Sequence, residues 1–313
     1  MINIDKIFKS NSVNIVYTTN DNYAKYMAVS VKSLIEHTSD NKNYDIIILE
    51  TDIKNDLKNA IQSMADDYKN ISIRFVNTES VFNSEDEKKL FCHLYYSKEV
   101  YLRLFIPEIL KDYEKAIYID CDTIIQSDVG ELFDEDITNF YIAAAKEFNT
   151  ITNTNDYPKV NYYFTSVLKI KDMNNYINSG VLVMNLPILR NINLSKKAFE
   201  LLDIHKELLY PDQDLLNIIC EDNIKIIHND WNFIFAITPA LLNDNRFIGL
   251  ANEWKHGLAN QNLIHYITDV KPWDNPEMTY GDIWWKYAKK TPIYQTLLKD
   301  FFDKHPEHLN PKQ

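Results

Sequence analysis

Glycine is nearly missing from this sequence: 313 residues hold five, and none precedes Gly130. A loop that cradles phosphates on backbone amides needs glycine for the main chain to come close, so a nicotinamide site of the Rossmann kind is excluded. Cysteine is scarce too. Cys92, Cys121 and Cys220 are odd in number and widely spaced, which argues against a disulfide framework or a cysteine zinc site and fits a reducing cytoplasm. No run approaches the roughly 20 apolar residues of a membrane span, and the start, MINIDKIFKSNSVNIVY, has no unbroken apolar stretch of the signal-peptide kind, so a soluble protein is expected. Positive charge is also short. With 33 Lys and Arg against 45 Asp and Glu, the net charge is -12, which speaks against nucleic acid as a partner and leaves open a phosphorylated small molecule held through a bound cation.

What the sequence does have is a hydrophobic share of 45% and many aromatics, 20 Tyr, 15 Phe and 5 Trp, enough for a large core in one main α/β domain. Low glycine with abundant Asn, Lys and Ile points to an AT-rich bacterial genome. The first half alternates short apolar runs with helical periodicity: strands at Asn14 to Thr19, Asp45 to Glu50 and Ile71 to Val76, a helix over Ala24 to Glu36, and a helix striped by Ile53, Leu57, Ile61 and Met64. This β-α-β-α-β order predicts a parallel sheet. Ser97 to Ile106 reads as helical, with Pro107 at its end, and Lys115 to Ile119 as a strand that runs into Asp120-Cys121-Asp122. Further strands are expected at Tyr141 to Ala145, Gly180 to Asn185, Ile224 to Ile227 and Asn262 to Tyr266, with helices near Leu194 to Glu207 and Gln213 to Cys220. The polar, Tyr-rich segment Asn149 to Asn175 is expected to be a mobile loop over the site. From Pro276 onward the chain is helical again, with Trp284, Trp285, Phe301 and Phe302 among six Lys and five Asp or Glu. That balance gives no basis for more than peripheral membrane contact.

Four constellations carry possible chemistry. Asp120 and Asp122 stand at the C-terminal end of a strand, where open α/β sheets bind ligands and where a turning backbone lets both carboxylates reach one hard cation; a solvated turn is the plain alternative. Asn20-Asp21-Asn22-Tyr23, between the first strand and the first helix, suits the edge and face of a nucleobase, and equally an Asx turn capping the helix. In LIHYITDVKPW, His265 ends a strand and Lys271 follows; imidazole suits Mn²⁺ better than Mg²⁺, and an ammonium can neutralise diphosphate oxygens. Asp212-Gln213-Asp214 opens a helix behind Pro211, where either Asp could be an N-cap.

These segments, in order from about Asn14 to Trp273, resemble the retaining glycosyltransferases of family eight. IVYTTNDNYAKYMAVSVKSL is similar to the family's nucleotide-binding start, YLRL to its Arg block, IYIDCDTII to its Asp-x-Asp block and YINSGVLVMNL to its sugar-site strand; PDQDLLN and HYITDVKPW complete the set. The resemblance implies a GT-A fold, that is, a Rossmann-like, mainly parallel sheet flanked by helices, over residues 1–275, followed by a small C-terminal helical appendage at 276–313. It implies a UDP-sugar donor, a glycan or glycoprotein acceptor, and Mn²⁺ (with Mg²⁺ as the other candidate) held by Asp120, Asp122 and His265. By position, Thr18, Thr19, Asn22 and Tyr23 would contact uridine, Arg103 the sugar and phosphate region, and Lys271 the diphosphate. Asn178, Asp212 and Gln213 would line the transferred sugar; Cys121 and Glu147 are further candidates for the donor site, Glu147 toward the acceptor. Two departures stand out: Asn20 replaces an Asp that contacts uracil in relatives, and Thr268 replaces a frequent Gly. A haloacid dehalogenase-type phosphatase also places Asp-x-Asp after an apolar strand, but it wants Thr or Val where Ile124 stands and gives no role to His265 and Lys271. A non-catalytic UDP-sugar-binding protein would keep the same residues without turnover.

Overall fold

The computed structural model describes residues 2, 4–82, 84–90 and 97–309; Cys92 lies outside them. Apolar runs rich in β-branched residues form the strands β1 (Ser12–Thr19), β2 (Asn43–Glu50), β3 (Ile71–Asn77) and β4 (Lys115–Ile119). The helices α1 (Asp21–Ile35) and α2 (Asn55–Gln62) form the first two crossovers. The chain continues through β5 (Thr123–Ile125), β6 (Ile142–Ala144), β7 (Val181–Asn185), β8 (Ile224–Ile226) and β9 (Leu263–His265). Seven strands build one sheet in the order β3-β2-β1-β4-β7-β6-β8. The first four are mutually parallel, β7 is antiparallel to β4 and β6, and β8 is parallel to β6. The sheet is therefore mainly parallel, as expected. β9 stands outside it, paired antiparallel with β5 in a separate two-stranded sheet.

Alternation along β1 divides the core. Val13, Ile15 and Tyr17 pack toward α1, while Val16 packs on the opposite face with Tyr101, Leu104 and Tyr118. The C-terminal helices, Gly281–Ala288 and Tyr294–Lys304, sink Trp284, Trp285, Leu297 and Phe301 into the same core as α1. Tyr26 of α1 stacks on Trp273 with ring centres 3.9 Å apart.

Two expectations are corrected. Asn149 to Asn175 is largely helical, not a loop: α3 (Phe148–Asp156) is followed by a short helix at Pro158–Tyr162 and a wide turn at Tyr163–Val167. The polar residues that suggested a loop satisfy themselves inside the helix. Glu147 caps it by accepting from Asn149 and Thr150 amides, and the buried hydroxyls of Thr152 and Thr154 donate to carbonyls four residues back, at 2.9 and 2.7 Å. Pro107, expected to end a helix, instead sits in the first turn of Ile106–Ile109, where its missing N–H costs nothing; the segment before it, Lys98–Phe105, is a tighter 3₁₀ helix.

Candidate active site

The C-terminal ends of β1 and β4 open into a cleft of about 320 Å³. β4 stops at Ile119, and the Asp120 amide donates to the Gly180 carbonyl at 2.8 Å. The chain turns at Asp120-Cys121-Asp122, and β5 pairs with β9 in a register that sets Thr123 opposite His265. That pairing is what brings a histidine from the far end of the sequence beside the two aspartates.

One ligand atom each from Asp120, Asp122 and His265 lies within 4.8 Å of the others. His265 Nε2 is 3.3 Å from Asp122 Oδ1 and 3.7 Å from Asp120 Oδ2. Its Nδ1 sits 2.8 Å from Asn232 Oδ1, so Nδ1–H donates there and the Nε2 lone pair faces the carboxylates. Gly180 makes room for this packing: a methyl group on it would stand 2.2 Å from His265 Cε1 and 2.8 Å from Asp120 Oδ2. Burial alone would raise the Asp122 carboxyl, but Lys271 and His265 hold it well below the usual carboxylate range. Lys271 Nζ donates to Asp122 Oδ2 at 2.6 Å.

Asp120 is braced by other neighbours. Its Oδ1 accepts from Arg103 Nη2 at 2.9 Å and from the Tyr118 hydroxyl at 2.5 Å. Arg103, 4% exposed, also pairs with Asp212 at 3.0 Å, donates to the Ser179 carbonyl at 2.8 Å and lies over the Tyr118 ring. Burial pulls its pKa down, yet Asp120 and Asp212 more than reverse this. Burial raises the carboxyls of Asp212 and Glu147 and the Cys121 thiol.

Most of the other residues expected at the site line the same cleft. Thr18, Thr19, Asn20, Tyr23, Arg103, Cys121, Glu147, Asn178, Asp212, Gln213 and Lys271 all line it. Asn178 Oδ1 accepts from Asn232 Nδ2 at 2.8 Å and from the Gly180 amide at 2.9 Å. Gln213 Oε1 accepts from the Ser179 amide and its Nε2 donates to Tyr176. Asn22 does not join them; it is exposed on the first turn of α1. Asn20 caps α1, its Oδ1 accepting from the Tyr23 amide at 3.2 Å, and it also lines the cleft. Thr268 stands apart from the lining, its hydroxyl donating to the Val270 carbonyl. Asp214 turns away as a structural anchor: it accepts from the hydroxyls of Tyr163 and Tyr176 and from the Tyr210 amide.

Sequence reasoning missed Tyr118, Ser179, Glu99 and Asn232. A period of two along β4 could have found Tyr118, two residues before Asp120 and hence on its face; nothing in the local sequence marks Asn232.

The donor set, two carboxylate oxygens and one imidazole nitrogen, fits a divalent cation of the Mn²⁺ or Mg²⁺ kind. The charge balance agrees: among the described residues, Glu99, Asp120, Asp122, Glu147 and Asp212 line the cleft against Arg103 and Lys271.

A family model described as glycosyl transferase family 8 matches residues 14–277. A Haemophilus influenzae protein provisionally named a glycosyltransferase is 32% identical over 225 residues, 72% of this chain and 64% of that protein; the chain thus spans a little under two thirds of that relative. Among solved structures, the WbbM bifunctional glycosyltransferase superposes with a TM-score of 0.84 at 23% identity, over 95% of this chain and 52% of that one. The galactosyltransferase LgtC, solved with donor and acceptor sugar analogues, superposes with a TM-score of 0.72 at 22% identity, over 90% and 96%. The shared architecture is the GT-A fold.

Proposed function

Because the chain belongs to glycosyl transferase family 8, we propose that it transfers glucose or galactose from a UDP-sugar to a hydroxyl of a lipid-linked or protein-linked glycan, with retention at the anomeric carbon. Asp120, Asp122 and His265 would hold Mn²⁺, or Mg²⁺ in its place. The observation that carries this reading is the convergence of those three ligand atoms within 4.8 Å, beside an ammonium and a guanidinium that line the same cleft. A cation held there supplies charge neutralisation to a departing diphosphate.

The chain's own residues do the rest. Lys271, anchored by Asp122 and the Tyr266 carbonyl, adds a fixed positive charge where phosphate oxygens gather. Arg103, locked on three sides, orients Asp120 and Asp212 and cannot swing out. Asp212 accepts from Ser179 Oγ at 2.8 Å and keeps its other oxygen for a sugar hydroxyl; Asn178 has its oxygen engaged and its amide left to donate. Gln213 is held at both ends of its side chain, and an amide is a poor nucleophile, so the acceptor hydroxyl attacks on the face from which the phosphate departs, without a covalent sugar–enzyme intermediate. Glu147 faces the acceptor. LgtC, with the same fold, holds both donor and acceptor sugar analogues, which supports a cleft shared by two sugars. No described helix is long and apolar enough to cross a membrane. The buried free thiols of Cys121 and Cys220 suit a cytoplasmic setting.

The test is to screen UDP-glucose, UDP-galactose and their N-acetyl forms, with and without Mn²⁺, for UDP release. Mn²⁺-dependent release, slow with water and faster with a glycan acceptor, is expected. Release of phosphate from monoesters, or binding without turnover on any acceptor, overturns the assignment.

A further inference from the structure

In the wall of the cleft a further buried acid sits among neutral polar groups. Glu99 is 6% exposed and lines the cleft with Ser97, Asn20 and Tyr23. It accepts from Asn20 Nδ2 at 3.2 Å through one oxygen and from Thr51 Oγ1 at 2.9 Å through the other. Among the described residues no ammonium or guanidinium lies at ion-pair distance from it; its chain neighbour Lys98 is paired with Glu87 at 3.0 Å instead. A buried carboxylate of this kind calls for N–H donors. Asn20 Nδ2 also reaches Ser97 Oγ at 3.5 Å, so the serine can accept from the amide and keep its own proton to give. Both N–H bonds of the Asn20 amide are thus taken, and the edge offers a donor and an acceptor: the Ser97 hydroxyl and the Glu99 carboxylate. The Tyr23 ring beside it offers an aromatic face for stacking.

We propose that Glu99 determines nucleobase specificity by accepting the imino N–H of uracil, with Ser97 donating to a flanking carbonyl. Cytosine presents a lone pair at the same ring nitrogen, which the carboxylate repels, and an amino group in place of one carbonyl. Asn20 cannot do this: its oxygen accepts from the Tyr23 amide at the helix cap and its amide protons go to Ser97 and Glu99. The proposal rests on the reading of the cleft as a nucleotide-sugar site, and it names the group that chooses the base.

The experiment is calorimetric titration with UDP, CDP and inorganic pyrophosphate, each with Mn²⁺, on the wild type, Glu99→Gln and Glu99→Ala. A charge-assisted hydrogen bond predicts that the wild type binds UDP over CDP by at least about tenfold. In Glu99→Gln the amide can turn either its oxygen or its nitrogen to the base, so the ratio falls to within about threefold; in Glu99→Ala both nucleotides bind weakly and alike. Pyrophosphate binding stays unchanged in both variants, which also reports that they are folded. A UDP/CDP ratio that stays at the wild-type value in both variants overturns the role of Glu99 and leaves the transferase reading intact. Absence of Mn²⁺-dependent binding of any of the three ligands to the wild type overturns both.

Discussion

His265 and Asn232 are joined by a 2.8 Å hydrogen bond from the imidazole Nδ1 to the amide oxygen, and that bond decides which ring nitrogen faces Asp120 and Asp122. Asn232 is itself held by Asn178, which also receives the Gly180 amide. The residue assigned to the transferred sugar and the one assigned to the cation are thus ends of a single polar chain. Asn232→Ala frees the ring to rotate and to take the other tautomer. Mn²⁺ affinity is expected to fall by roughly 10- to 100-fold, measured by titration; an unchanged dissociation constant would show that the bond does not orient the ring.

Gly180 is the tightest point of the same chain. In Gly180→Ala the new methyl group meets His265 Cε1 and Asp120 Oδ2, both parts of the candidate cation site, and one of them must move. Overpacking of this sort costs about 1–3 kcal/mol of stability, but a displacement of about 1 Å at the site costs on the order of 100-fold in turnover. Thermal unfolding and sugar transfer should therefore separate, with activity lost far more than stability.

Asp122 is shared by His265 and Lys271. Asp122→Asn at saturating Mn²⁺ is expected to lower transfer by on the order of 10²- to 10³-fold, and to leave Lys271, 7% exposed, with the Tyr266 carbonyl as its remaining close partner. Near-normal turnover in this variant would rule out the assigned role.

Asp214 gives a pH signature separate from catalysis. Burial lifts its carboxyl from the ordinary 3.8 to about 6, although two tyrosine hydroxyls and the Tyr210 amide pull the other way. The native state therefore holds the proton more tightly than the unfolded chain. This group's stabilising contribution is full below pH 4 and is lost as pH rises through 6. Relative to Asp214→Asn, which does not titrate, the wild type should lose roughly 2 kcal/mol between pH 4 and pH 7. Parallel stability curves for the two proteins across that range would contradict the assignment.

Much of this was legible in the residues. The apolar runs at Ile15 and Ile46 and the helical stripe through Met27 and Leu34 carry their periods plainly, and each formed the expected element. The acidic pair at 120 and 122 was legible because a strand end precedes it. What could not be read was long-range pairing: β5 is three residues long and has no signal beyond its partner, and Asn232 matters only because β9 delivers His265 beside it. The segment at 149–175 misled because Thr and Asn side chains usually compete with helix hydrogen bonds in water, whereas here the Thr152 and Thr154 hydroxyls and the Asn155 amide donate to carbonyls of the helix itself.

The appended C-terminal helices are testable in the same spirit. Removing residues 276–313 strips Trp284, Trp285 and Phe301 from a core that they share with α1. The shortened chain should be insoluble or melt well below the full chain, since loss of a single large buried aromatic already costs about 3–5 kcal/mol.

The β5–β9 pairing has a consequence for biogenesis. Three residues just past the aspartates find their strand partner only when about five sixths of the chain has been made, so a nascent polypeptide carries Asp120 and Asp122 long before His265 can stand beside them. The candidate cation site is therefore a product of the chain's far end: its third ligand comes 143 residues after Asp122 and reaches it only through the β5–β9 pairing.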